Sequence, residues 1–265
     1  MNEEKCKKIF ETAREYLLNY VSEDILNSHL ELGNQIKHNS INELFRGLLE
    51  SLANRQGMPN SIGNIDNLKA FLFDFNPVLI LNEYGNDWKK LFQDIKKDYR
   101  PPGKMDITKK KSYWVRFVIG IISGAKFLAR FQTIEEFAIF IDRFYLNEYT
   151  RVALPMLISK EVDGLGFALA CDFLKENGYP EFAKPDTHLI SIFNGLGISN
   201  SEYDYEVFKD VINFSKKVNE VPYVVDKMFW LIGSGKFHLL PKEDQIKPTN
   251  KEDFIKKALN SLNSK

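Results

Sequence analysis

Apolar positions along the chain recur with the 3.6-residue period of helices. Between residues 4 and 22, Ile9, Phe10, Ala13, Tyr16, Leu17 and Tyr20 fall at i, i+3, i+4, i+7 spacing. That spacing predicts an amphipathic helix with one buried stripe. Residues 41–52 repeat the pattern through Leu44, Leu48, Leu49 and Leu52, with Ser40 placed to cap the first turn. The same reading predicts helices over 66–74, 84–98, 112–130, 134–146, 148–160, 167–177, 187–195, 204–218, 222–233 and 251–262. No segment shows the strict alternation of a half-buried strand. The chain therefore reads as all-α, two lobes of short helices joined by irregular connections, with no fixed-period repeat.

Three stretches interrupt the helical pattern. Asn54 to Asn64 is rich in Asn, Gly, Pro and Ser and reads as a loop. Asp98 to Lys111 is polar, is punctuated by Pro-Pro-Gly, and is the expected boundary between lobes. Leu240 to Asn250 reads as a linker to a final exposed helix. The expected organisation is an N-terminal helical extension (1–35), a main body (36–239) whose hairpin lobe occupies about 110–200, and a linker with a terminal helix (240–265).

Composition narrows the class. The 265 residues carry 36 Lys or Arg against 36 Asp or Glu, a formal net charge of zero. That balance argues against a histone-like protein and against a polybasic membrane binder. It leaves room for a DNA enzyme, because a local basic patch is enough for docking. The window 89–116 supplies one, with ten Lys or Arg and three acids. Within it Lys109, Lys110 and Lys111 run directly into Tyr113 and Trp114, cations beside aromatics, as nucleic-acid surfaces have them. A solvated helix face plus a lysine-rich loop fits the same residues. Cys6 and Cys171 are far apart, which suggests neither a metal site nor a disulfide framework. The longest apolar run, Val118 to Ala125, is too short to span a bilayer. The charged N-terminus lacks the apolar region of a secretory leader. A soluble, cytoplasmic protein is expected, at the nucleoid in a bacterium.

The most informative stretch is VDGLGFALACDFLKENGYPEFAKPDTHL, Val162 to Leu189. Gly164-Leu165-Gly166 reads as a tight turn between two helices, since glycine permits positive φ and close backbone approach. The unpaired amides at the start of the second helix, with those of the turn, form an anion site that needs no lysine. A DNA phosphate fits there. Leu165 would turn inward and pin the helices together. An ordinary helical hairpin satisfies the same pattern. Further on, Asp186 precedes Thr187-His188-Leu189-Ile190 as a good helix N-cap. An N-cap residue can also face a pocket, so both roles can hold.

Together, Val162-Asp163-Gly164-Leu165-Gly166, the apolar helix Phe167 to Asn177, Asp186-Thr187-His188 and the following Leu189-Ile190, Phe193 and Leu196-Gly197 resemble the helix-hairpin-helix DNA glycosylase superfamily, HhH-GPD. The resemblance implies that the hairpin, through Gly164, Leu165, Gly166 and Ala168, grips the backbone of double-stranded DNA beside a damaged or modified base. It implies that Asp186 is the catalytic carboxylate. Cleaving an N-glycosidic bond builds positive charge on the sugar. A fixed carboxylate stabilises that charge and can orient or deprotonate water. The target base must first leave the stack, which costs a few kcal/mol. His188 would contact a phosphate or support the fold. Asn54, Arg55 and Gln56 match the place from which such proteins fill the gap left by the flipped base. Tyr113 and Trp114, with Phe229 and Trp230, are candidates for stacking on it, although aromatics at helical spacing are commonly core.

Departures from the pattern also carry information. Bifunctional members of the family, which also cut the backbone, have a lysine where this chain has Ala168, which cannot form a Schiff base. A monofunctional glycosylase is therefore expected, with Lys160, Lys175 or Lys184 as unsupported substitutes. The usual proline of the hairpin is Asp163. No four-cysteine cluster motif follows the fold. The resemblance further implies a structural monovalent cation on the carbonyls of Lys160, Val162 and Leu165, and no other cofactor. A monomer is expected, with no membrane partner. The missing lysine points toward alkylated or otherwise modified bases, including those of foreign DNA. The alternative is a non-catalytic helical DNA-binding or interaction protein that retains the hairpin.

Overall fold

The structure is a computed structural model that describes residues 1–35, 38–55, 57–109, 111–240 and 250–263. Among them the chain forms fourteen α-helices and no strand. They are α1 Glu3–Leu18, α2 Glu23–Gln35, α3 Ile41–Ala53, α4 Pro59–Ile62, α5 Pro77–Tyr84, α6 Trp88–Asp98 and α7 Tyr113–Leu128. There follow α8 Ile134–Asp142, α9 Glu148–Glu161, α10 Phe167–Glu176, α11 Thr187–Gly195, α12 Asp204–Val218, α13 Pro222–Ser234 and α14 Lys251–Asn263. A 3-10 turn covers Ile65–Leu68. Residues 241–249 of the expected linker lie outside the described residues.

The chain divides into two compact units. One joins Met1–Ile36 to Leu174–Lys265, and the other is Lys37–Phe173. The N-terminal helices therefore belong to one body with the C-terminal ones. The polar connection 98–111, expected to separate lobes, lies inside the second unit. It is tied down there: Met105 is buried, and the Gly103 N–H donates to the Ser61 carbonyl (3.0 Å).

The second unit is built around α7, which packs against α3, α4, α5, α6 and α9. Twelve of its sixteen residues are buried. A helix apolar all round has this fate. Phe127 and Phe131 continue into an aromatic cluster with Phe137 and Phe140 of α8, with ring centroids 5.1–6.5 Å apart. In the first unit α1 packs on α12, α13 and α14, while α13 also meets α2 and α11. The rings of Phe193, Phe214, Phe229 and Phe254 meet at its centre.

Three helices escaped the periodicity: α2, the four-residue α4 inside the expected loop 54–64, and α5. In α5 the signal is short, eight residues, and rests on the cap: Asn76 Oδ1 accepts the Val78 and Leu79 N–H groups and Pro77 opens the first turn. The α-helix predicted over 66–74 does not form: the 3-10 turn Ile65–Leu68 gives way to turns over 69–75. Phe73, Asp74 and Phe75 have φ of 50°, 56° and 60°, the left-handed region, which ends a right-handed helix. In α2 a histidine occupies a core position beside Leu26 and Leu30. His29 is fully buried. Its Nδ1 lies 2.8 Å from the Ile25 carbonyl, and the Leu239 N–H donates to Nε2 (3.3 Å). An amide can only donate, so Nε2 accepts and Nδ1 carries the proton.

Burial holds the His29 pKa below its ordinary value, and the Lys227 ammonium acts the same way, against the bond to Ile25. A depressed folded-state pKa gives stability that is present above the unfolded value, ~6.5, and declines as pH falls below it. The melting temperature of wild type should therefore drop between pH 7 and pH 5, and His29→Gln should show a smaller drop over the same interval. Equal slopes in thermal melts would show that His29 protonates freely in the folded state.

Candidate functional site

In the second unit, α9 ends at Val162 and the chain turns through Asp163 and Gly164. Gly164 has φ +83°, where a side chain would be strained. Leu165 is 1% exposed, so it pins the turn from inside. The turn sits on small residues of α7. A Cβ on Gly120 would lie 2.8 Å from the Asp163 carbonyl oxygen and 2.3 Å from Leu52 Cδ2. A Cβ on Gly124 would lie 2.8 Å from Leu48 Cδ2. Between them, Ser123 Oγ accepts the Asp163 N–H (2.9 Å) and lies 3.1 Å from the Ile119 carbonyl, to which it can donate.

Gly166 is exposed, and a Cβ there would meet nothing within 4 Å. The amides that open α10 have no helical acceptor, and the helix dipole favours an anion before them. Ala168 lies in this first turn and is half-buried. Lys160 is exposed. Of the carbonyls expected to hold a cation, that of Val162 accepts the Leu165 N–H (3.2 Å). Among the described residues no group of three His, Cys, Asp or Glu side chains is placed to hold a metal ion.

The loop after α3 lies in the same unit. Asn54 caps α3, and its side chain donates to Asp172 Oδ2 on α10 (3.1 Å), joining this loop to the second hairpin helix. Arg55 is half-buried, and Gln56 lies outside the described residues. Gly57 has φ +80°, and the Tyr113 hydroxyl lies 2.4 Å from where its Cβ would be. Tyr113 is 37% exposed, so an aromatic edge stands beside this turn. Trp114 does not serve as a stacking residue. It is fully buried, its Nε1–H donates to the Ser61 carbonyl (3.0 Å), and Tyr99 and Phe117 pack against its ring. Lys109 and Lys111 are exposed on the loop before α7, and Lys110 lies outside the described residues.

The first unit holds Asp186. Its Oδ1 accepts the His188 and Leu189 N–H groups (2.9 and 3.1 Å), so it is the N-cap of α11. Its Oδ2 accepts no hydrogen bond among the described residues. His188 packs against α13, where a Cβ on Gly233 would come 2.6 Å from its Cβ. Phe229 is fully buried in the aromatic centre, which removes it as a pocket candidate. Trp230 is half-buried, with the Lys227 ammonium 5.4 Å from its ring centroid.

A buried charge cluster stands behind this segment. Asp226 is 1% exposed, and its Oδ2 accepts the Lys184 N–H (2.6 Å) and the Lys175 ammonium (2.8 Å). The Asp186 N–H donates to the Lys184 carbonyl (2.8 Å). Asp226 thus anchors the backbone two residues before the candidate carboxylate. Burial pushes the Asp226 carboxyl above the usual range, opposed by Lys175 and reinforced by the Asp186 charge. Lys175 is also 3.2 Å from Glu176 Oε1, and its side chain is only 4% exposed. The ion pair accounts for this lysine, which had been one possible substitute for the missing amine. Sequence periodicity had passed over Asp226, Lys175 and Lys227. The signal was present as charged residues inside the apolar runs VVDKMFWLI and FALACDFLK.

No family model matches the chain, and no curated protein does. Among solved structures, the chain is similar to the crystal structure of Methanocaldococcus jannaschii 8-oxoguanine glycosylase/lyase in complex with 15mer DNA containing 8-oxoguanine. The identity is 18%, the match covers 88% of this chain and 98% of that chain, and the TM-score is 0.54. The likeness is one of fold: this all-helical chain resembles a DNA glycosylase/lyase in architecture.

Two substitutions test the supports of the site. Gly120→Ala drives a methyl into Leu52 and the hairpin carbonyl, and urea unfolding should show a loss of about 1–3 kcal/mol, whereas Gly166→Ala should stay within about 0.5 kcal/mol. Asp226→Ala leaves the buried Lys175 ammonium with Glu176 alone and should cost about 1–3 kcal/mol. A loss below ~1 kcal/mol would mean that the pair is solvated.

Proposed function

We propose that the protein is a DNA glycosylase that takes a damaged or modified base out of the duplex and hydrolyses its N-glycosidic bond, leaving the abasic site uncut. The observation that carries this reading is the carboxylate of Asp186. One oxygen is fixed by two helix amides and the other accepts no hydrogen bond among the described residues. A carboxylate so held is pre-oriented to stabilise positive charge developing on a deoxyribose and to orient the attacking water. The hairpin supports the reading. Gly166 and the first amides of α10 offer a phosphate an uncharged grip, and exposed Lys109 and Lys111 add the salt-dependent attraction of a basic loop. The likeness of fold to a protein crystallised with DNA containing 8-oxoguanine points the same way.

That neighbour is named a glycosylase/lyase, whereas the present reading ends at hydrolysis. Ala168 offers no amine at the start of α10, and Lys175 is engaged by two carboxylates. Asn54, Arg55 and Tyr113 are the candidates for contact with the opened duplex; Asn54 and Tyr113 are placed on neighbouring turns of one unit. Carbonyl oxygens are the ligands a hard monovalent cation takes. Those of Lys160 and Leu165 suit such an ion better than that of Val162, which already serves the turn.

The test is an excision assay on labelled duplexes carrying alkylated, oxidised (8-oxoguanine included), deaminated, mismatched or otherwise modified bases. Each reaction is split with and without hot alkali. Wild type should give strand scission only after alkali, and Asp186→Asn should lower base release by ~10²-fold or more while binding DNA within a few-fold of wild type. Scission without alkali would overturn the monofunctional reading. DNA binding with no base released from any duplex would leave the non-catalytic alternative.

A further inference from the structure

The proposed chemistry leaves one feature beside the hairpin unused. In the second unit a cleft of about 140 Å³ is lined by Trp88, Ile119 and Ile122 on its apolar side and by Asn86, Lys126 and Asp163 on its polar side. Ser123 also borders it, but its hydroxyl already serves the Asp163 amide. The side chains of Asn86, Lys126 and Asp163 make no hydrogen bond or ion pair among the described residues. Trp88 is half-buried, and the Lys89 ammonium stands 5.9 Å from its ring centroid.

The lining restricts the ligand. An apolar cleft with a few convergent polar groups is the usual form of a small-molecule site. A bare anion would gain nothing from Trp88 and the two isoleucines, and Asp163 would repel it. An aliphatic ligand would leave three polar side chains unused. A flat ring, apolar on its faces and hydrogen-bonding at its edge, suits both sides. A cavity of about 150 Å³ takes benzene, so the cleft is large enough to cover one six-membered ring. A carboxylate accepts from the exocyclic amine of cytosine, and an ammonium donates to the ring carbonyl of the same base. Thymine would set its own carbonyl against the carboxylate. Stacking on an indole is the ordinary way in which proteins hold unpaired bases.

We propose that this cleft binds an unstacked cytosine of the DNA strand that runs past the hairpin. The proposal rests on the DNA-binding reading above and adds a second base site to it, separate from Asp186. It also gives a use to Asp163, which stands where the resembled hairpins have proline. Its backbone N–H is held by Ser123, while its carboxylate stands at a cleft that a base edge can reach.

The experiment measures binding of short labelled single strands of dC, dT and dA by fluorescence anisotropy, with unlabelled deoxycytidine monophosphate as competitor. Wild type is compared with Trp88→Ala, Lys126→Ala and Asp163→Ala, each checked for an unchanged thermal melt. Wild type should prefer dC. Trp88→Ala should weaken dC binding by about five- to a hundred-fold. Asp163→Ala should bring the dC and dT affinities together, and Lys126→Ala, which remains soluble and folded as an exposed change, should weaken both. Strands bound equally well by Trp88→Ala and Asp163→Ala, or a preference for dA, would overturn the cleft assignment while leaving the glycosylase reading intact. Competition by the free nucleotide as strong as by the strand would assign the cleft to nucleotides instead of DNA. No DNA binding by wild type would overturn both readings.

Discussion

The close approach of the hairpin to α7 is the constraint on which the second unit depends. Gly120, Ser123 and Gly124 stand at i, i+3 and i+4 on one helix, so they share a face. Without bulky side chains there, the backbone of Val162 to Gly164 can settle against the helix. The hydroxyl of Ser123 then takes up the Asp163 amide and ties the turn to α7. Once the first half of the turn is satisfied in this way, Gly164 supplies the positive φ and Leu165 seals the interior. Gly166 then opens α10 from an exposed position. The anion site proposed there would therefore follow from packing on α7 and would need no charged side chain of its own.

The first unit solves a different problem. It holds the Asp186 carboxylate at the N-cap of α11, with Oδ1 fixed by two amides. Lys184-Pro185-Asp186 is tied to the interior by Asp226. A buried ion pair such as Lys175–Asp226 adds little net stability, because desolvation offsets most of the attraction. What it does here is fix a backbone amide two residues from Asp186. The raised pKa of Asp226 reflects that desolvation, and the Lys175 and Lys227 ammonium groups stand 5.7 and 5.6 Å from the centroid of the Tyr223 ring, within cation–π reach.

How much of this was legible depended on the kind of signal. Long periodic segments such as α7, α12 and α14 stood out because an apolar stripe with caps repeats over several turns. Helix α5 carried too few turns for a stripe, and α2 hid its buried face behind His29, whose polar ring is satisfied at both nitrogens. The helix expected over 66–74 failed at Phe73–Phe75, where no glycine announces the left-handed turn. The turn at Gly164 and the cap at Asp186 were legible because turn and capping chemistry is local. Trp114 and Phe229 could not be sorted from pocket aromatics, since burial is decided by tertiary packing. The role of Asp226 was beyond reach for the same reason: its partners, Lys175 and Lys184, lie 51 and 42 residues away in the chain.

Electroneutrality follows from the same division of labour. A protein that holds phosphate with lysines needs an excess of them, and its affinity falls steeply with salt. Here the grip is assigned to backbone dipoles, which carry no net charge and remain in place whatever the ionic strength. On the proposed reading lysines serve only the flanking strand, and 89–116 is the window in which the sequence concentrates them. The rest of the surface can balance its charges, as 36 against 36 does. The pairs Lys90–Glu83 and Arg130–Glu161 show that balancing at work on exposed faces of the second unit. Net charge thus says little about whether such a chain meets DNA. Where the exposed lysines stand is the better guide, and Lys109 and Lys111 lie in the unit that carries the hairpin.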